Sequence, residues 1–188
     1  MNVRHASISN TMKAAAGLVF ALATLLLAGH CEACDNVPTM YMDDMCHKAC
    51  PHLYQLCRDT LAHGAAAAEV TIYATVAAKY AKLSYHSFLD ATDKLLQNSS
   101  LPGDERTAYS RCKDSYYEAL RSMAGVLNDL FTCSFSGTKQ EYLGATAAVA
   151  ACLDELRAFQ SSPLHAMNAA DQDKTMLAFN LGGLIVGK

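Results

Sequence analysis

The chain has 188 residues, with 15 Lys and Arg against 18 Asp and Glu, eight cysteines and no tryptophan. Its formal net charge of −3, with no basic stripe, excludes nucleic acid as a partner class. Eight cysteines with no metal-type repeat point to an oxidising compartment and covalent staples rather than to a thiol enzyme.

Residues 1–33 read as a secretory leader. Arg4 and Lys13 supply a positive start, and Ala14 to Ala28 is an apolar run too short to cross a bilayer. Cys31-Glu32-Ala33 offers small residues at the −3 and −1 positions, which places cleavage after Ala33. The expected mature domain is 34–188, one domain in size. Losing Arg4, Lys13 and Glu32 moves its formal charge from −3 to −4. Its histidines are His47, His52, His63, His86 and His165. Near pH 5 the exposed ones become protonated, so electrostatic fit to a partner would depend on pH. With no later membrane segment and no lipid-anchor signal, the expected product is soluble and secreted.

Residues 34–63 hold two short helical patches, Thr39–Lys48 and Leu53–Leu61, separated by Pro51. Such a hairpin is too small to bury a core, and a disulfide between its arms would compensate. The four-helix segment 64–188 follows. The first helix is predicted from Ala65 to Gln97, with Ile72, Val76, Tyr80, Leu83, Phe88, Ala91 and Leu95 toward the core. It stops at Asn98-Ser99-Ser100 and Pro102-Gly103. Asn98 is also an N-glycosylation acceptor in a polar loop. The second helix is predicted from Asp104 to Leu130, with Ala108, Cys112, Tyr116, Ala119, Met123, Leu127 and Leu130 at steps of three and four. Thr138 and Glu141 read as a capping box opening the third helix, whose seam is Tyr142, Ala145, Val149, Cys152, Leu156 and Phe159. Ser161-Ser162-Pro163 ends it. The fourth helix is predicted from His165 to Ile185, with Met167, Leu177, Leu181 and Leu184 inward. No window alternates strictly enough for a strand. The expected fold is therefore all-α, an antiparallel four-helix bundle behind a helical hairpin.

Cys112 and Cys152 fall on the buried stripes of adjacent helices, as an inter-helix disulfide requires. Seven cysteines remain after the leader, so one thiol is left over or pairs between chains. Cys133, with no local partner, is the candidate free thiol, and Cys34 with Cys50 the candidate third bridge. Cys46, His47, Cys50, His52 and Cys57 have zinc-type chemistry, but a second ligand pair is missing and the compartment is oxidising. No metal or cofactor is expected. GxSxG, HExxH and phosphate-cradling glycine loops are absent, so no enzymatic activity is expected.

The stretches MCHKACPHLYQLCRDTL, YSRCKDSYYEALRSM, ATAAVAACLDEL and NLGGLIVGK, in that order, resemble the plant invertase and pectin methylesterase inhibitor family. The resemblance covers nearly all of the mature chain. It implies a bridge between Cys46 and Cys57 in the hairpin and one between Cys112 and Cys152 in the bundle. A Cys50–Cys57 bridge beside Cys34–Cys46 remains an alternative. It also implies a secreted apoplastic or vacuolar inhibitor that occludes the substrate cleft of a cell-wall enzyme one-to-one. Invertase inhibitors of the family carry a Pro-Lys-Phe element before the third bundle helix. Phe135-Ser136-Gly137-Thr138-Lys139 lacks it, which favours pectin methylesterase over acid invertase as the target. A secreted bundle that binds without inhibiting is the third reading. The expected contact candidates are Asp90, Lys94, Lys113 and Glu118, on exposed faces of the first two bundle helices.

Overall fold

The computed structural model describes residues 34–187; the expected leader, 1–33, lies outside the described residues. The compact unit begins at Cys34. Its elements run β1 (Thr39–Tyr41), α1 (Met42–Ala49), a 3-10 turn (Pro51–Leu53), α2 (Tyr54–Leu61), β2 (Ala67–Glu69), α3 (Val70–Leu96), α4 (Gly103–Thr132), α5 (Thr138–Leu156) and α6 (Pro163–Val186). Among the described residues the fold is all-α but for one antiparallel pair, in which Thr39, Met40 and Tyr41 face Glu69, Ala68 and Ala67. The sequence expectation contained no strand. Three residues per strand are too few to show alternation, and half of the pair is an alanine run. This clip draws both ends of the hairpin together in front of α3.

Helices α3, α4, α5 and α6 form a closed ring, each packed on its two neighbours. Short connections make consecutive helices antiparallel, and Asp93 with Lys113, Cys112 with Cys152, and Ser84 with Asp171 tie neighbours in the ring together. The hairpin α1–α2 seats against α3 and α6. Side chains close two of the bundle's helix ends. Arg106 donates to the carbonyls of Leu96 (2.7 Å) and Asn98 (2.8 Å), closing the C-terminus of α3. Ser162 caps α6, its Oγ accepting from Leu164 N at 3.2 Å, with Pro163 preset for the first turn. The capping box expected at Thr138 is not formed. Gly137 is the cap residue, and the Thr138 hydroxyl instead donates to the Asp129 carboxylate at 2.9 Å, tying α5 back to α4.

Among the described residues three bridges link Cys34 with Cys133, Cys46 with Cys57 and Cys112 with Cys152. The pairing of Cys34 with Cys133 corrects two expectations. Cys34 is not bridged to Cys50, and Cys133 is not a thiol. Cys133 ends α4 in the left-handed conformation (φ 54°), which turns its side chain out of the helical run and toward the incoming N-terminal arm. Cys50 instead lies buried in the core between hairpin and bundle.

The core is rich in tyrosine: Tyr73, Tyr85, Tyr109, Tyr116 and Tyr142 are all fully buried. Burial pushes the phenols of Tyr85, Tyr116 and Tyr142 far above their ordinary value of 10, and the Asp171 carboxylate adds to the effect at Tyr116. A phenol held protonated in the folded state stabilises the fold fully below pH 10. That stability is lost as pH rises further, because the unfolded tyrosines ionise first. Stability should therefore fall above pH 10 by up to about 1.4 kcal/mol per pH unit for each of the three. Urea midpoints between pH 9 and 11, read beside tyrosinate absorbance, check this. Phenolate appearing for these three without loss of the fold would contradict it.

Candidate protein-binding face

The outward face of α3 differs from the expected one. Its core-facing surface is built from small residues, Ala74, Ala77, Ala78 and Ala81, together with Tyr73, Tyr85 and Phe88. Alanine lets neighbouring helices approach closely, and the tyrosine and phenylalanine rings fill the space beyond. Three large residues assigned inward by their hydrophobicity therefore point outward. Ile72 is 50% exposed, Tyr80 40% and Leu83 66%. With half-buried Val76 and exposed Ser87, Asp90 and Lys94, they form one stripe at steps of four, four, three, four, three and four along α3. The stripe is apolar over its first half and charged over its second.

Beside the apolar half lies an open groove against α6, walled by Tyr80, Leu83, Met167 and Ala170 and floored by Asp171 and Lys174. Lys174 sits 5.5 Å from the Tyr80 ring centroid. Its Nζ donates to Asp171 Oδ1 at 3.0 Å. The Asp171 carboxylate is almost wholly buried and also accepts from Ser84 and, at 3.0 Å, from Tyr116. Asn168 Nδ2 donates to the Tyr116 hydroxyl (3.2 Å) and to the Val149 carbonyl (3.0 Å), which brings α5 into the same network. Thr175 Oγ1 accepts from Tyr85 at 2.5 Å and donates to the Asp171 carbonyl at 2.6 Å. One network thus joins all four bundle helices directly beneath the groove. It fixes the backbone that displays Tyr80 and Leu83.

The four contact candidates fall in three places. Asp90 and Lys94 lie exposed on the α3 stripe. Lys113 is half-buried and occupied by Asp93 at 2.5 Å, which with the nearby Tyr117 ring raises its affinity for the proton. Glu118 is exposed on α4 and pairs with Arg121 one turn on. Lys113 thus joins α3 to α4, while Glu118 belongs to a separate patch. The histidines do not gather either: His47 stacks on Tyr54 at 4.0 Å, and His52 and His63 are exposed in the hairpin and its exit. Asn98 is exposed, its Oδ1 accepting from Ser100 N (3.1 Å) and Ser100 Oγ (2.7 Å). Cys46 and Cys57 are consumed by their bridge, and among the described residues no group of His, Cys, Asp or Glu is placed to hold a metal ion. Sequence reasoning missed Ile72, Tyr80 and Leu83 as surface residues. The alternative alanine stripe on the same helix was the available signal.

No protein-family model matches the chain, and no curated protein matches it. Solved structures do, among them two from Arabidopsis. A mutant form of a pectin methylesterase inhibitor superposes with a TM-score of 0.66 at 15% identity, over 76% of this chain and 95% of that one. A pectin methylesterase inhibitor from Arabidopsis thaliana superposes with a TM-score of 0.59 at 15% identity, over 76% and 93%. The chain has the fold of pectin methylesterase inhibitors, at an identity too low to carry more than the fold.

Proposed function

We propose that this chain is a secreted protein inhibitor of a pectin methylesterase, acting one-to-one by covering the enzyme's substrate cleft. The observation that carries the reading is the structural match over nearly the whole length of a pectin methylesterase inhibitor. The outward face of α3 supports it. Three large apolar side chains on a rigid helix, continued by Asp90 and Lys94, have the composition of a docking surface, with an apolar centre and a charged rim. An occluding inhibitor needs rigidity rather than chemistry, and three bridges plus the buried network supply it. The leader at 1–33 directs secretion to the apoplast, and Asn98 carries the glycan.

Purified mature protein titrated against a plant pectin methylesterase and an acid invertase, at pH 5 and pH 7, tests the reading. Loss of esterase activity at near-stoichiometric protein, with invertase untouched, is the expected result. Inhibition of invertase alone would reassign the target, and micromolar protein without effect on either enzyme would end the inhibitor reading.

A further inference from the structure

The N-terminal arm meets the bundle at a carboxylate. Cys34 N lies 3.1 Å from Glu69 Oε2 and 3.2 Å from Glu69 Oε1. Glu69 is half-buried at the end of β2, where its backbone caps α3, and Thr71 also donates to its Oε1. Among the described residues no Lys, Arg or His pairs with this carboxylate. A peptide nitrogen in a continuous chain shares its one hydrogen between the two oxygens and brings no charge to the carboxylate. An α-ammonium has three hydrogens and a positive charge, and fits two carboxylate oxygens at these distances. The Cys34 side chain is fixed as well, by its bridge to Cys133, so the nitrogen is held in place from its own residue.

We propose that Glu69 is the receptor for a new N-terminus at Cys34, so that removal of the leader creates an ion pair the uncleaved chain lacks. Hydrolysis of the Ala33–Cys34 peptide bond by a leader peptidase consumes one water. Its hydroxyl goes to the Ala33 carbonyl carbon and its hydrogen to the Cys34 nitrogen, which takes one further proton from solvent to become the ammonium. The charge-assisted contact then ties the first residue to the β2–α3 junction, beside the bridge to the end of α4. Maturation thereby tightens the seam that closes the hairpin onto the bundle. The inference rests on the leader reading, and its test is independent of any inhibitory activity.

The full chain is secreted from a eukaryotic host, and its N-terminal peptide is identified by mass spectrometry. In parallel, oxidised protein beginning at Cys34 is compared by urea unfolding with protein beginning at Ala33, each with Glu69 and with Glu69→Gln. The expected secreted product starts at Cys34 with a free amine. The Cys34 form should exceed the Ala33 form about fivefold to tenfold in its folding equilibrium constant, and Glu69→Gln should erase that difference. A different or blocked secreted N-terminus overturns the proposal. So does a stability gain that survives Glu69→Gln, or no gain at all.

Discussion

Replacing Cys34 and Cys133 together by alanine should cost more stability than any other change to the disulfides, about 5 kcal/mol on the chain-entropy account. The bridge spans 99 residues of chain, against 40 for Cys112–Cys152 and 11 for Cys46–Cys57. Entropy removed from the unfolded chain grows with the logarithm of the closed loop, so the corresponding figures for the other two are about 4 and about 3 kcal/mol. Accessibility separates the bridges as well. Cys46, Cys57, Cys112 and Cys152 are fully buried, whereas Cys133 is exposed at the end of α4. A mild reductant should therefore open Cys34–Cys133 first, while the bundle still stands. Alkylation during graded reduction, read by peptide mass, should label Cys34 and Cys133 before the other four bridge cysteines. Urea unfolding of the double variant should show the loss in free energy with the slope little changed. Early labelling of Cys112 and Cys152, or a loss below about 1 kcal/mol, would contradict this ranking.

Asp171→Ala should destabilise the fold by about 3 kcal/mol, a fall in melting temperature on the order of 10 °C. The carboxylate accepts from Ser84, Tyr116 and Lys174, groups on three helices, and is itself almost wholly shielded from water. Its removal leaves the Tyr116 hydroxyl in the core without its acceptor, and Lys174 without its counter-charge. The effect should be asymmetric. Lys174 is partly exposed at the groove, so Lys174→Ala lets water reach Asp171 and should cost only about 1 kcal/mol. Calorimetric melting of both variants checks the ratio. Equal losses would mean that the ion pair, and not the three-helix acceptor, is what matters.

How far the sequence reaches depends on what a helix face is made of. For α4, size and hydrophobicity coincide with burial, and all seven residues of the expected stripe are buried. The same holds for α5 from Tyr142 to Leu156. On α3 the alanine face and the large-residue face compete, and packing distance decides for alanine; hydrophobicity alone selects Ile72, Tyr80 and Leu83, which lie outside. On α6 the inward stripe runs Leu164, Asn168, Asp171, Thr175, Ala178 and Leu181. Its three polar members look like surface residues until Tyr85 and Tyr116 are placed opposite them. The long bridge was hidden for a related reason. Nothing near Cys133 in the chain announces a partner 99 residues away, and only the fold brings Cys34 to it. The candidate face is accordingly half legible: the sequence marks Asp90 and Lys94 as exposed charges, but its hydrophobicity places the apolar centre above them in the core.

The most direct test of the proposed mechanism compares the mature protein with a Tyr80→Asp/Leu83→Asp variant in the same titration of pectin methylesterase. Both positions are exposed, so the variant should keep its helical spectrum and melting temperature. The wild-type chain should abolish esterase activity at about one equivalent, and the folded variant should need roughly a hundredfold more. Equal inhibition by the two proteins would contradict the assignment of the α3 face as the surface that covers the enzyme.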